Sequence, residues 1–104
     1  MSQDGLPGLA LPRQTVRPTI TEQFAAFDAQ HPWVYRALVQ LVEQRLGMGA
    51  QRVGMKALFE ALRWRHPYGV KGLNNNYTAL YARRLIAEQP QWASAIEVRR
   101  RRAP

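Results

Sequence analysis

Cysteine is absent from this chain of 104 residues. That excludes disulfides, a thiolate nucleophile and any cysteine-based zinc site. No apolar run approaches the roughly 18 residues that a transmembrane helix needs, so no membrane partner is expected. The first residues lack the basic-then-apolar order of a secretory signal, and the expected compartment is the cytoplasm. Aspartate occurs only at Asp4 and Asp28, and each glutamate has a plausible place beside a cation or a helix start. A metal-dependent nuclease would need clustered carboxylates. No glycine-rich phosphate loop and no Ser, His and acid set is visible. His31 and His66 stand apart without ligand spacing, and His31, placed before proline, is expected to cap a helix. The expectation is therefore no enzyme, no metal and no cofactor.

What the chain has in excess is positive charge. Lys and Arg number 15 against 7 Asp and Glu, a formal +8 with a pI near 11.1. Lys56 and Lys71 are the only lysines; the rest are arginines. The guanidinium fork matches phosphate and carboxylate oxygens better than ammonium does. Such a charge on a small domain favours either double-stranded DNA or an acidic protein as partner.

The length suits one domain. Pro7, Pro12 and Pro18 with Gly5 and Gly8 break any period, so residues 1–19 read as a flexible N-terminal arm carrying Arg13 and Arg17. Residues 20–98 read as a single helical domain, and residues 99–104 as a basic C-terminal tail. Helices are expected over residues 21–29, 32–46, 55–65, 76–88 and 91–98. Thr21 is the expected first cap, and Pro32 suits a first helical turn. Val34, Leu38, Leu41 and Val42 form one stripe, and Met55, Leu58, Phe59 and Leu62 another. Tyr77, Tyr81 and Leu85 form a third, with Trp92 and Ile96 at the same spacing beyond Pro90. Glu60 can pair with Lys56 or Arg63, and Arg84 with Glu88, at helical spacing. With no convincing strand, the expected fold is all-α. It is a compact domain of four to five helices, with a divergent helix-turn-helix or winged-helix variant among its possible forms. The loop after the third helix has room for a very short hairpin at Tyr68 and Val70.

The candidate site lies in the stretch from Arg52 to Glu88. Asn74, Asn75 and Asn76 open the fourth helix; one would cap it, and three exceed that need. Asparagine also pairs with adenine edges. Arg63, Arg65, Lys71, Arg83 and Arg84 would form a basic surface around the loop, positioning a phosphate backbone. Trp33 and Trp64 are the candidates for protein contact, tryptophan being common in hot spots, whereas Tyr77, Tyr81 and Trp92 suit the core. Two readings stay open. One is a DNA-binding accessory or regulatory protein that clamps phosphates and presents the start of the fourth helix. The other is a non-enzymatic module that engages an acidic protein.

The blocks HPWVYRALVQLVEQ, RVGMKALFEALRW and LNNNYTALYARRLI, with the closing EVRRRR, resemble small uncharacterised proteins of tailed phages and prophages. LFEALRW and LNNNYTALYAR are the most specific pieces, and the likeness runs over residues 24–102. Relatives often carry a longer, more polar loop after the tryptophan, where this chain has HPYGVKG. The resemblance implies a phage context and an accessory role, and brings no catalytic residues.

Overall fold

A computed structural model describes residues 18–66 and 68–98. Residues 1–17 of the expected arm and the tail 99–104 lie outside them. Four α-helices carry the fold: α1 (Ile20–Gln30), α2 (Pro32–Gly47), α3 (Met55–Arg65) and α4 (Thr78–Glu88). Two short strands, β1 (Val53–Gly54) and β2 (Ile96–Glu97), pair in parallel, Val53 beside Ile96 and Gly54 beside Glu97.

The first helix begins one turn-defining threonine earlier than expected. Thr19, not Thr21, is the cap. Its hydroxyl accepts the Glu22 amide at 3.1 Å while the Glu22 carboxylate accepts the Thr19 amide at 2.8 Å. This reciprocal pair satisfies two amides that the helix itself cannot. Pro18 and Thr19, assigned to the arm, thus belong to the helix start. α1 stops at His31 because Pro32 follows. His31 makes no side-chain cap bond; its ring lies against Phe27, centroids 4.6 Å apart. Pro32 opens α2 without losing a needed amide.

α3 lies between α2 and α4 and packs on both. Its inner stripe of Met55, Leu58, Phe59 and Leu62 is buried, as are Val34, Leu38, Leu41 and Val42 of α2. Tyr81 of α4 is the aromatic hub. Phe24 meets it edge-on at 4.7 Å, Phe59 edge-on at 6.0 Å, and Tyr35 stacks at 6.3 Å. Such pairs add about 0.5–1.5 kcal/mol each beyond area burial.

The chain after α4 is not the expected fifth helix. Pro90–Trp92 is a single 3₁₀ turn, a further turn follows, and residues 96–97 are β2. Trp92 and Ile96 are still buried, but an extended backbone delivers Ile96, and the Val53 amide donates to the Ala95 carbonyl at 2.8 Å. The fourth helix also enters differently: Asn75–Tyr77 is a 3₁₀ turn, and α4 proper starts at Thr78. The short hairpin at Tyr68 and Val70 is not formed. The one sheet among the described residues is the parallel pair, not the antiparallel hairpin of a wing.

One buried group stands out. The Tyr81 hydroxyl has no hydrogen-bond partner among the described residues, although the side chain is fully buried. Burial and the nearby Asp28 carboxylate push its pKa up. A buried hydroxyl without a partner carries a desolvation cost that phenylalanine would not. Tyr81→Phe is therefore expected to raise stability by about 1 kcal/mol in urea denaturation. A loss of stability instead would show that the hydroxyl is bonded in solution.

Candidate nucleic-acid interface

Between α3 and the 3₁₀ turn that leads into α4, two main-chain hydrogen bonds close turns among the described residues. The Gly69 amide donates to the His66 carbonyl at 2.6 Å, and the Leu73 amide to the Val70 carbonyl at 3.1 Å. Gly72, at φ 86°, holds the left-handed position of the second turn, a conformation that side chains disfavour. A Cβ there would also come within 3.5 Å of the Phe27 ring. This connection is much longer than the roughly 3–4 residues of a helix-turn-helix turn.

Both ends of the loop are anchored by residues proposed as contacts. Arg63 donates to the Leu73 carbonyl at 3.3 Å and to Asn75 Oδ1 at 2.8 Å, and pairs with Glu60 at 3.4 Å. It holds the loop exit against α3, so it is a positioning residue more than a free phosphate clamp. Glu60 pairs with Arg63 and not with Lys56. Trp33 is half-buried, its ring 4.8 Å from that of His66 at the loop entrance. It anchors the loop instead of standing open to a partner.

The three asparagines divide by role. Asn74 accepts the Asn76 amide at 2.8 Å and is the cap. Asn75 receives Arg63. Asn76 is exposed and its side chain stays outside these bonds. Thr78 donates its hydroxyl to the Asn75 carbonyl at 2.9 Å, closing the entry to α4.

Arg84 is partly exposed, but its guanidinium is already engaged within the fold. Its guanidinium meets Asp28 at 2.8 Å and Glu88 at 3.3 Å, and lies 3.8 Å above the Tyr35 ring. The Tyr35 hydroxyl donates to Glu88 at 2.9 Å. Burial and that carboxylate push the Tyr35 pKa up to about 12. Hydrogen bonds to both carboxylates hold the Arg84 pKa above its ordinary value against the opposing effect of burial. The cluster ties α1, α2 and α4 together. Of the five residues expected to form a basic surface, Arg63 and Arg84 are thus engaged in bonds within the fold. Arg65, Lys71 and Arg83 are exposed, Arg65 reaching the neutral Gln44 at 3.1 Å.

A different cationic surface is present. A groove of about 510 Å³ is lined by Arg52, Lys56, Asn75, Thr78 and Ala79, with Gly54, Met55, Glu97 and Val98. The start of α3 opens onto it. Gly54 gives α3 no side-chain cap, and no acid occupies its first turn; the acid that faces this helix start is Glu97, whose Oε1 would lie 3.6 Å from a Cβ at Gly54 and offsets part of the helix dipole. Arg83 follows Ala79 by one helical turn on the same side of α4. Glu97 is the one acid in the wall and pairs with Arg52 at 3.3 Å. Arg52 and Lys56 were missed as site residues. The available signal was a helix that begins Gly-Met-Lys where an acid or a capping hydroxyl is usual. Among the described residues no group of acids and histidines is arranged to hold a metal, and no helix is long and apolar enough to cross a membrane. Comparison with protein-family models, curated proteins and solved structures finds no match.

Proposed function

We propose that this chain is a small basic DNA-binding accessory or regulatory protein that acts in the cytoplasm of a host cell. The LFEALRW and LNNNYTALYAR blocks support a phage origin. The observation that carries the DNA reading is the groove rim. Arg52 and Lys56 line the groove at the start of α3, where main-chain amides and the helix dipole both favour an anion, and Arg83 stands exposed one helical turn beyond Ala79 of its wall. These cations position a phosphate backbone, and the exposed Asn76 is the one asparagine free to reach a base edge.

A salt series of fluorescence-anisotropy titrations with random duplex DNA tests this. Affinity should fall with a log–log slope of about −0.9 for each neutralised phosphate. Lys56→Ala and Arg83→Ala should each reduce that slope by about one. Glu97→Gln should tighten binding, because it releases Arg52 and removes a repelling charge. Asn76→Ala should reduce discrimination between sites by about 1–3 kcal/mol if that side chain reads a base. No duplex binding at low salt would end this reading. The other reading, a module that engages an acidic protein, rests on the same basic charge, which an acidic surface would also satisfy.

A further inference from the structure

Trp64 is 88% exposed and Tyr68 fully exposed. Trp64 sits in the last turn of α3, and Tyr68 inside the turn that the Gly69 amide closes on His66. Described residues on either side of Tyr68 are held. Trp33 packs on His66 at the loop entrance, Arg63 holds the loop exit, and Gly72 lies against Phe27 in the middle. The rings are thus open beside anchored residues. Arg65 follows Trp64 directly, and Lys71 stands exposed in the next turn. The nearest acid along α3, Glu60, is engaged by Arg63.

This is poor terrain for an apolar protein contact. Hot-spot tryptophans sit in packed pockets ringed by other contacts. Neither the groove at Arg52 and Lys56 nor the one between α1 and the Lys71–Gly72 turn is lined by either ring. Open rings with exposed cations close to them in the chain, Arg65 beside Trp64 and Lys71 three residues after Tyr68, suit a different ligand. A base presents a flat face to each ring while the cations follow the backbone.

We propose that Trp64 and Tyr68 are stacking positions for unpaired bases, with Arg65 and Lys71 holding the phosphates of a single strand. The inference rests on the nucleic-acid reading above and adds a second, single-strand surface to it. Duplex DNA hides its base faces, so the two surfaces make separable contributions.

The test uses the intrinsic fluorescence of the whole chain. Trp92 is buried and Trp33 half-buried, so Trp64 supplies the solvent-exposed emission. A dT oligomer of about ten nucleotides should quench that emission. Trp64→Ala and Tyr68→Ala should each weaken dT binding about ten-fold or more, with unchanged melting and unchanged duplex affinity. Trp64→Phe should retain most of the dT affinity, because the flat face remains. Equal dT binding by the parent and both alanine variants overturns the proposal, since phosphates alone would then suffice. Equal quenching by polyglutamate overturns it in favour of an acidic-polypeptide surface. If duplex binds and dT does not, this inference falls and the duplex reading stands. If neither binds, both fall.

Discussion

Leu58→Ala is expected to remove about 2–5 kcal/mol of stability. Leu58 is fully buried in α3, the helix that packs on both α2 and α4. Truncation removes the transfer energy of the lost methyl groups and leaves a cavity that two helices must close on. The neighbours Phe59, Leu62 and Tyr81 are themselves fully or almost fully buried, so little slack exists for that collapse. Small domains commonly hold only about 5–15 kcal/mol in total. The upper part of the range would leave much of the population unfolded at ambient temperature. Urea denaturation should show a lower midpoint with an unchanged slope. A loss under about 1 kcal/mol would remove Leu58 from the core.

The helical core was legible because its information is local. The stripes of α2 and α3 repeat every three or four residues, and Leu38, Leu41, Leu58, Phe59, Leu62, Tyr81 and Leu85 are all buried. Thr19 was legible too, through its three-residue spacing to Glu22, but Thr21 offers the same hydroxyl nearer the apolar run. Ile96 was misread because two apolar residues at i and i+4 satisfy a helix and also a turn followed by a strand. What chooses the strand is Val53, distant in sequence. The site shows the same division. The pairing of Arg84 with Glu88 follows from helical spacing, whereas its bond to Asp28 spans 56 positions and leaves no local trace. Arg63 and Arg84 carry the same charge as Lys56 and Arg83. Only the tertiary fold decides which cations it uses internally.

Arg84→Ala is expected to destabilise by about 2–3 kcal/mol, somewhat below the value for a fully buried pair because the guanidinium is partly exposed. The substitution leaves Asp28, partly buried with one oxygen already lacking a partner among the described residues, without its cation. It also removes the contact over Tyr35, where a desolvated cation on a ring contributes about 0.5–2 kcal/mol. Arg84→Lys should recover only part, since an ammonium cannot reproduce the planar fork toward two carboxylates. Adding Asp28→Asn to Arg84→Ala should restore some stability by removing the orphaned charge. Thermal melts of the four proteins measure this. Below its melting temperature, Arg84→Ala should leave the salt slope of duplex binding unchanged. A shallower slope would show instead that the guanidinium reaches phosphate.

The parallel pairing of Val53–Gly54 with Ile96–Glu97 also sets an order in time. The consecutive pairs α1–α2 and α2–α3 draw on contacts close in the chain, which form early because little loop entropy opposes them. The strand pair must wait until the last described residues exist and have been brought across the α3–α4 unit. During synthesis, where folding follows the emerging chain, α1, α2 and α3 can therefore pair before the start of α3 has been joined by its neighbour strand. The groove that Glu97 and Val98 help to wall is then among the last of the described parts to acquire its shape.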